Sequence, residues 1–164
     1  MVLICVSMVF LFLSCSSVSV AVMSDFEIDK YMGEWYEIAR YDHFFERNLS
    51  NVTAKYVLRD DGKVGVTNSG FNTKKQQWSS VDAVAVRTKK PNYLRLYFVP
   101  IFGSSYRVAY IDEHYTTALV TGRGKRYLWF LSRTPQLTAA QKEELIEQAK
   151  ILGFDTSKLL YVDH

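Results

Sequence analysis

Between residues 33 and 133 the chain alternates apolar and polar positions in short runs, each closed by turn-forming residues. A period of two sets one face of a run against a core and the other toward water, as in a half-buried strand. Eight such runs are readable, over 33–41, 51–59, 63–71, 78–87, 93–99, 104–112, 115–121 and 126–133. Asp60-Asp61-Gly62 predicts a tight hairpin between the second and third. Lys89-Lys90-Pro91-Asn92 and Gly122-Arg123-Gly124 break the chain before the fifth and eighth. Short hairpins between eight strands predict an all-β, eight-stranded antiparallel up-and-down barrel, which closes on itself and leaves no edge. A sandwich would need longer crossing connections. After Pro135 the period lengthens. Thr138 and Gln141 have capping-box spacing, Leu145, Ile146, Ala149 and Leu152 form an apolar stripe, and Gly153 stops the helix. Residues 158–162 predict a short final strand.

The first strand opens on Gly33-Glu34-Trp35. Glycine allows a backbone conformation or close approach that a β-carbon forbids, and tryptophan needs a broad apolar site with a partner for its ring nitrogen. Together they predict a plug at one end of the barrel.

Composition adds a compartment. Met1 to Met23 carry no charged side chain, and residues 2–13 are nearly all apolar. That run is short for a membrane span and suited to a signal-peptide core. The expected division is a leader over 1–22 and one domain over 23–164. Phe12-Leu13-Ser14-Cys15 resembles the lipobox of bacterial lipoproteins, with Phe12 in place of the usual leucine. That resemblance implies lipidation of Cys15. Cleavage after Ser19-Val20-Ala21, giving a secreted or periplasmic soluble protein, is the alternative. The only other cysteine, Cys5, lies inside the leader, so the domain has no disulfide, thiolate metal site or cysteine nucleophile of its own. Asn48-Leu49-Ser50 and Asn51-Val52-Thr53 have the form of glycosylation sequons. A net charge of +3 with no Lys/Arg-rich run argues against nucleic acid. At 164 residues, with 48% hydrophobic content, the chain suits a single core.

Three blocks in order resemble the lipocalin family, specifically bacterial outer-membrane lipocalins of the apolipoprotein D-like branch. Gly33-Glu34-Trp35-Tyr36 resembles the first family motif. Tyr110-Ile111-Asp112-Glu113 stands at the second and keeps only its aspartate. Residues 128–135, with Arg133, resemble the third. The resemblance implies a calycin-type barrel in which Arg133 packs over Trp35 and joins the first and last strands. A guanidinium over an indole face contributes roughly 0.5–2 kcal/mol.

With Trp35 and Arg133 at the closed base, residues of like parity should face inward. These are Glu37; Val52, Ala54, Tyr56 and Leu58; Val64, Val66 and Asn68; Leu94, Leu96 and Phe98; Tyr106, Val108 and Tyr110; Ala118 and Val120; and Tyr127, Trp129 and Leu131. Alternation leaves both a filled core and a cavity open; the family resemblance implies a ligand cavity. The expected ligand-contacting set is Glu37, Tyr56, Val66, Asn68, Leu96, Tyr106, Val108, Tyr110, Tyr127 and Trp129. Glu37 is either a carboxylate satisfied by a partner or a polar contact for the ligand. Up-and-down topology gathers His43, Phe44, Phe45, Lys74, Lys75, Pro100, Ile101, Phe102, Arg123, Lys125 and Arg126 at the end away from the plug. Basic groups beside apolar tips suit an anionic amphiphile at a cavity mouth; ordinary solvated lysines with loop packing, and tips that touch a bilayer or second subunit, are the alternatives.

No motif sets a histidine beside a serine nucleophile, no metal-ligand spacing occurs, and no Gly-rich phosphate loop is present. The chain is therefore read as a binding protein without cofactor. The resemblance implies storage or transport of fatty acids such as palmitate, or of lysophospholipids, by a protein lipid-anchored at the bacterial outer membrane and serving envelope lipid handling. A homodimer, a filled barrel acting as a protein-interaction module, and a lipocalin-type isomerase or de-epoxidase are the other readings.

Overall fold

The computed structural model describes residues 22–99 and 102–164. Cys15 and the rest of the expected leader, with Pro100 and Ile101, lie outside the described residues. In chain order the elements are α1 (Ile28–Tyr31), β1 (Gly33–Arg40), β2 (Leu49–Leu58), β3 (Val64–Asn72), β4 (Gln77–Arg87), β5 (Tyr93–Val99), β6 (Phe102–Ile111), β7 (Thr117–Thr121), β8 (Leu128–Ser132), α2 (Ala139–Ile151) and β9 (Leu160–Tyr161). From β1 to β8 each strand pairs antiparallel with its sequence neighbour, β1 closes the ring by pairing with both β2 and β8, and β9 pairs with β1. The result is the closed eight-stranded barrel expected from the alternation, with one C-terminal helix, the short α1 before β1 and one extra strand.

Two apolar clusters hold it together. One fills the barrel interior, from Trp35 and Tyr56 to Val108, Val120 and Leu131. The other lies outside, where Leu145 and Ala149 of α2 pack with Ile38, Leu119, Leu128 and Phe130. β7 is buried at every position because it faces the interior on one side and the second cluster on the other. The capping box at Thr138 and Gln141 starts α2, with both reciprocal bonds formed. Gly153 follows its end at φ 77°, the left-handed conformation that glycine adopts without a β-carbon penalty.

Three departures from strict alternation matter. In β1, Ile38 and Ala39 together oppose Phe130, a bulge that points both outward and turns Arg40 back to the interior. In β6, Ala109 and Tyr110 together oppose Leu119, so both join the outer cluster and Ile111 returns inward. β1 also leaves β2 after Tyr36, and the C-terminal segment fills the seam. There Val162 N–H donates to the Ile38 carbonyl at 2.9 Å and Asn51 N–H to that of Asp163 at 2.7 Å.

Candidate ligand-binding site

The closed end is built on Trp35. Its indole N–H donates to the Tyr31 carbonyl at 2.8 Å, and the Arg133 guanidinium lies 3.9 Å from its ring centre. Arg133 gives four of its five N–H donors to the backbone carbonyls of Lys30, Met32, Glu34 and Tyr115. One side chain thus ties the strand end after β8, the segment around α1 and the turn before β7 into a single base. Gly33 sits at φ 96°, and a β-carbon there would lie 3.2 Å from the Arg133 Nη1. The segment before β1, through Phe26, Ile28 and Tyr31, packs beneath the interior cluster.

Above this base the interior changes character along the barrel axis. Around the Val64–Ala85 and Val108–Val120 pairs the inward side chains are fully packed. One step up, Ala83, Leu96 and Tyr106 keep a trace of accessible surface. Higher still, the cross-strand partners Asn68 and Val81 are accessible, as is Ala54. The lower half is a filled core, and the upper half, whose inward side chains keep accessible surface, is called the chamber. At their boundary three phenols converge: Tyr106 Oη stands 2.5 Å from Tyr31 Oη and 2.8 Å from Tyr56 Oη. Burial holds all three above the usual phenol value, Tyr56 at about 12. They are neutral hydroxyls at any physiological pH. Beside the chamber, β4 and β5 pair only over 84–87 and 94–97, and a depression of about 720 Å³ opens there beside Val66, Asp82, Ala83, Tyr97 and a half-exposed Phe98.

The top of the chamber is a polar roof. The β1 bulge sets Glu37 and Arg40 on one face, and they form a buried ion pair at 2.7 Å. Arg40 also donates to the carbonyls of Glu46, at 2.8 Å, and Leu49, at 3.3 Å, which holds the loop over residues 41–48 across the opening. Within that loop the Glu46 carboxyl receives the Trp129 indole N–H at 3.2 Å. Burial, then the neighbouring Glu37 carboxylate, pushes Glu46 up to about 8. Burial also raises Glu37, against the pull of Arg40. One guanidinium faces two carboxyls, and Glu46 is the one that keeps a proton. His43 stacks on Phe45, with centroids 5.3 Å apart, and packs against Tyr127 and Trp129. It is buried, its Nε2 has no hydrogen-bond partner among the described residues, and burial lowers its pKa.

Among the expected ligand-contacting residues, Tyr56, Val66, Leu96, Tyr106 and Val108 lie in the interior cluster, and Asn68 on the chamber wall. Glu37, Tyr127 and Trp129 belong to the roof. Tyr110 is a correction: the β6 bulge turns it to the outer cluster, where burial and then Glu144 of α2 raise its phenol to about 12. Of the expected mouth, Phe44 is 81% exposed and Phe45 half exposed. Lys74 and Lys75 form an exposed turn held by the Asn72 side chain, and Arg123 is exposed. Lys125 instead reaches the end of α2 beside Gly153, outside the barrel. Tyr31, Arg40 and Glu46 escaped the sequence reading. Arg40 has outward parity unless the bulge is known, Tyr31 precedes the first strand, and Glu46 lies in a loop. The surviving Asp112 of the second motif accepts four bonds from Thr116 and Thr117 and orders the β6–β7 turn.

The model of the lipocalin-like domain matches residues 26–164. The outer membrane lipoprotein Blc of Vibrio cholerae is 44% identical over 147 residues, covering 88% of this chain and 86% of that protein. Its namesake from Escherichia coli K12 is 42% identical over 160 residues, covering 93% and 90%. The temperature-induced lipocalin-1 of Arabidopsis thaliana is 33% identical over 150 residues, covering 84% and 79%. Among solved structures, the cockroach allergen Per a 4 superposes with a TM-score of 0.73 at 18% identity, over 90% of this chain and 94% of that one, a likeness of fold.

Proposed function

The chain belongs to the lipocalin-like family, and from that premise we propose that its barrel takes up one single-chain amphiphile, a fatty acid or a lysophospholipid. The acyl chain lies in the upper chamber and the charged head meets the roof. The observation that carries this reading is the division of the interior: an accessible wall ends, at the open side, under a buried guanidinium and a carboxyl that keeps its proton at neutral pH. An anionic head there meets Arg40, the Glu46 O–H and His43 rather than bare carboxylates.

Relatives that cover about nine-tenths of the chain are outer membrane lipoproteins, and the protein is placed at the bacterial outer membrane with them. In our reading Cys15 carries the lipid, which holds the domain at the membrane whose lipids it handles. One acyl chain gives only marginal, reversible membrane binding, so a stable anchor needs a multiply acylated cysteine or a second contact. The exposed Phe44 and Phe45 could supply such a contact. Replacing Cys15 with Ala should move the protein from the membrane to the soluble fraction of fractionated cells; retention in the membrane would rule out this anchor.

The binding test is native mass spectrometry of delipidated protein with palmitate and with a lysophospholipid. One-to-one complexes are expected, with a change in Trp129 emission that a Trp129→Phe variant lacks. Each methylene added to the chain should gain about 0.8 kcal/mol, roughly four-fold in affinity, until the chamber is full. No exchangeable lipid, and an emission indifferent to fatty acids, would overturn the proposal.

A further inference from the structure

The β3–β4 hairpin rises clear of the neighbouring wall. β4 runs from Gln77 to Arg87 but pairs with β5 only over 84–87, and every residue from Gln77 to Asp82 is exposed. Near the tip Phe71 and Trp78 are cross-strand partners, with ring centres 5.8 Å apart. Their parity is opposite to that of Val66, Ala83 and Ala85 in the interior cluster, so they stand on the outer face. A cross-strand aromatic pair steadies a hairpin, yet an indole left 65% exposed forfeits most of its burial. The turn above the pair is Thr73-Lys74-Lys75-Gln76. Thr73 N–H donates to the Asn48 carbonyl at 2.9 Å, which sets this turn beside the 41–48 loop and its exposed Phe44 and Phe45.

Charge follows the same axis. At the open end Asp42 is paired with Arg47 at 2.6 Å, and the Glu46 carboxyl is held on the Trp129 indole. Lys74, Lys75, Arg123 and Arg126 are exposed there and form no ion pair among the described residues. The closed end instead mixes its lysines with the exposed carboxylates of Asp25, Glu27, Asp29, Asp60, Asp61 and Glu113. A negative surface therefore attracts the open end first.

We infer that the tip of the β3–β4 hairpin docks on an anionic lipid bilayer, with Trp78 and Phe71 in the headgroup layer and Lys74 and Lys75 on lipid phosphates. Indoles settle at that level because their rings are apolar and their N–H is polar, and lysines near an anionic leaflet add attraction. The inference rests on the reading of the protein as a membrane-anchored lipid binder and adds which edge of the barrel meets the membrane. It brings the stretch of β4 that lacks a β5 partner, with Val81 on the chamber wall, against the lipid that the chamber takes up. A contact of this size is reversible, so the anchor is still what retains the protein through fractionation.

Trp78 is its own reporter, since Trp35 is buried and Trp129 lies in the roof. Wild type and Trp78→Phe are mixed with excess vesicles of phosphatidylethanolamine and phosphatidylglycerol carrying brominated acyl chains, and the difference between their spectra isolates Trp78 emission. That emission should shift to the blue and be quenched by the bromines, and it should do neither with phosphatidylcholine vesicles. Replacing Lys74 and Lys75 together with Gln should weaken binding to the anionic vesicles about 25-fold, about five-fold per lysine. Trp78 emission that stays unquenched would overturn the inference, as would equal quenching by neutral and anionic vesicles. A blue shift that grows with protein concentration in the absence of vesicles would assign the hairpin to a second copy of the chain, and would also overturn it. Cys15→Ala protein is measured alongside, so that quenching decides the docking whether or not the anchor reading holds, and palmitate binding without vesicles decides the chamber separately. If the double lysine variant fails to fold, the comparison of lipid compositions on the wild type still decides the role of charge.

Discussion

At the residue scale, the roof shows how one backbone irregularity creates chemistry. Glu37 was legible as an inward carboxylate from its parity with Trp35, and the possibility of a buried partner followed from the cost of leaving it alone. The partner itself was not legible, since Arg40 faces inward only because the bulge inserts one residue. The same cluster sets a pH dependence. In the unfolded chain Glu46 titrates near 4.5, and in the folded protein near 8. Between those values only the folded state holds the proton, so stability falls as pH rises through the window and levels off above it. Glu46→Gln is neutral throughout. Its melting temperature relative to wild type should climb from pH 4.5 to about 8; parallel curves across that range would remove Glu46 from the account. Gly33 yields a second prediction. Alanine there meets both a left-handed backbone and the Arg133 guanidinium. The backbone alone costs roughly 1–2 kcal/mol, and displacement of Arg133 from its four carbonyls adds to it. Urea unfolding of Gly33→Ala should show at least that loss.

At the scale of elements, alternation and turn residues located all eight barrel strands and the helix, because most strands have one apolar face and several connections, such as 59–63, 88–92 and 122–127, carry a glycine, proline or asparagine where the chain reverses. α1 was missed for want of length: four residues carry no period. Tyr110 was misplaced because a bulge leaves no mark in the alternation on either side of it. The capping box, by contrast, was legible and is formed, and Thr138→Ala should cost about 1 kcal/mol in denaturant unfolding, while Thr138→Ser should be nearly neutral. The seam between β1 and β2 gives a sharper case. The terminal strand was expected from its apolar residues, but its place was not, since long-range pairing has no local signature. Val162→Pro deletes the N–H that meets the Ile38 carbonyl. Leaving the carbonyl of the buried Ile38 without that partner should cost about 1–3 kcal/mol of stability. A change no larger than that of Val162→Ala would mean the segment merely rests on the seam.

For the whole molecule, β1 is the member that couples base, wall and roof: Trp35 stands at one end of it, Glu37 and Arg40 at the other, and β2, β8 and β9 pair along its length. The sequence motifs locate the base, and so the end that is not the entrance. They say nothing of how far the lower half is filled, because filled and hollow barrels share one alternation. That depth is set by Tyr31, Tyr56 and Tyr106 meeting across the interior. A ligand seated between floor and roof contacts strands that reach around the barrel, and it binds only the closed form. Its effect on unfolding should therefore be that of mass action, about 2.7 kcal/mol at a hundred-fold excess over the dissociation constant. For a domain of this size each kcal/mol moves the melting temperature by about 2–4 °C. Palmitate at that excess should raise the midpoint by roughly 5–11 °C in a calorimetric scan. Binding seen by fluorescence with no such shift would mean that the lipid sits on the surface, at Phe44 and Phe45 or in the depression beside β4, and not in the chamber.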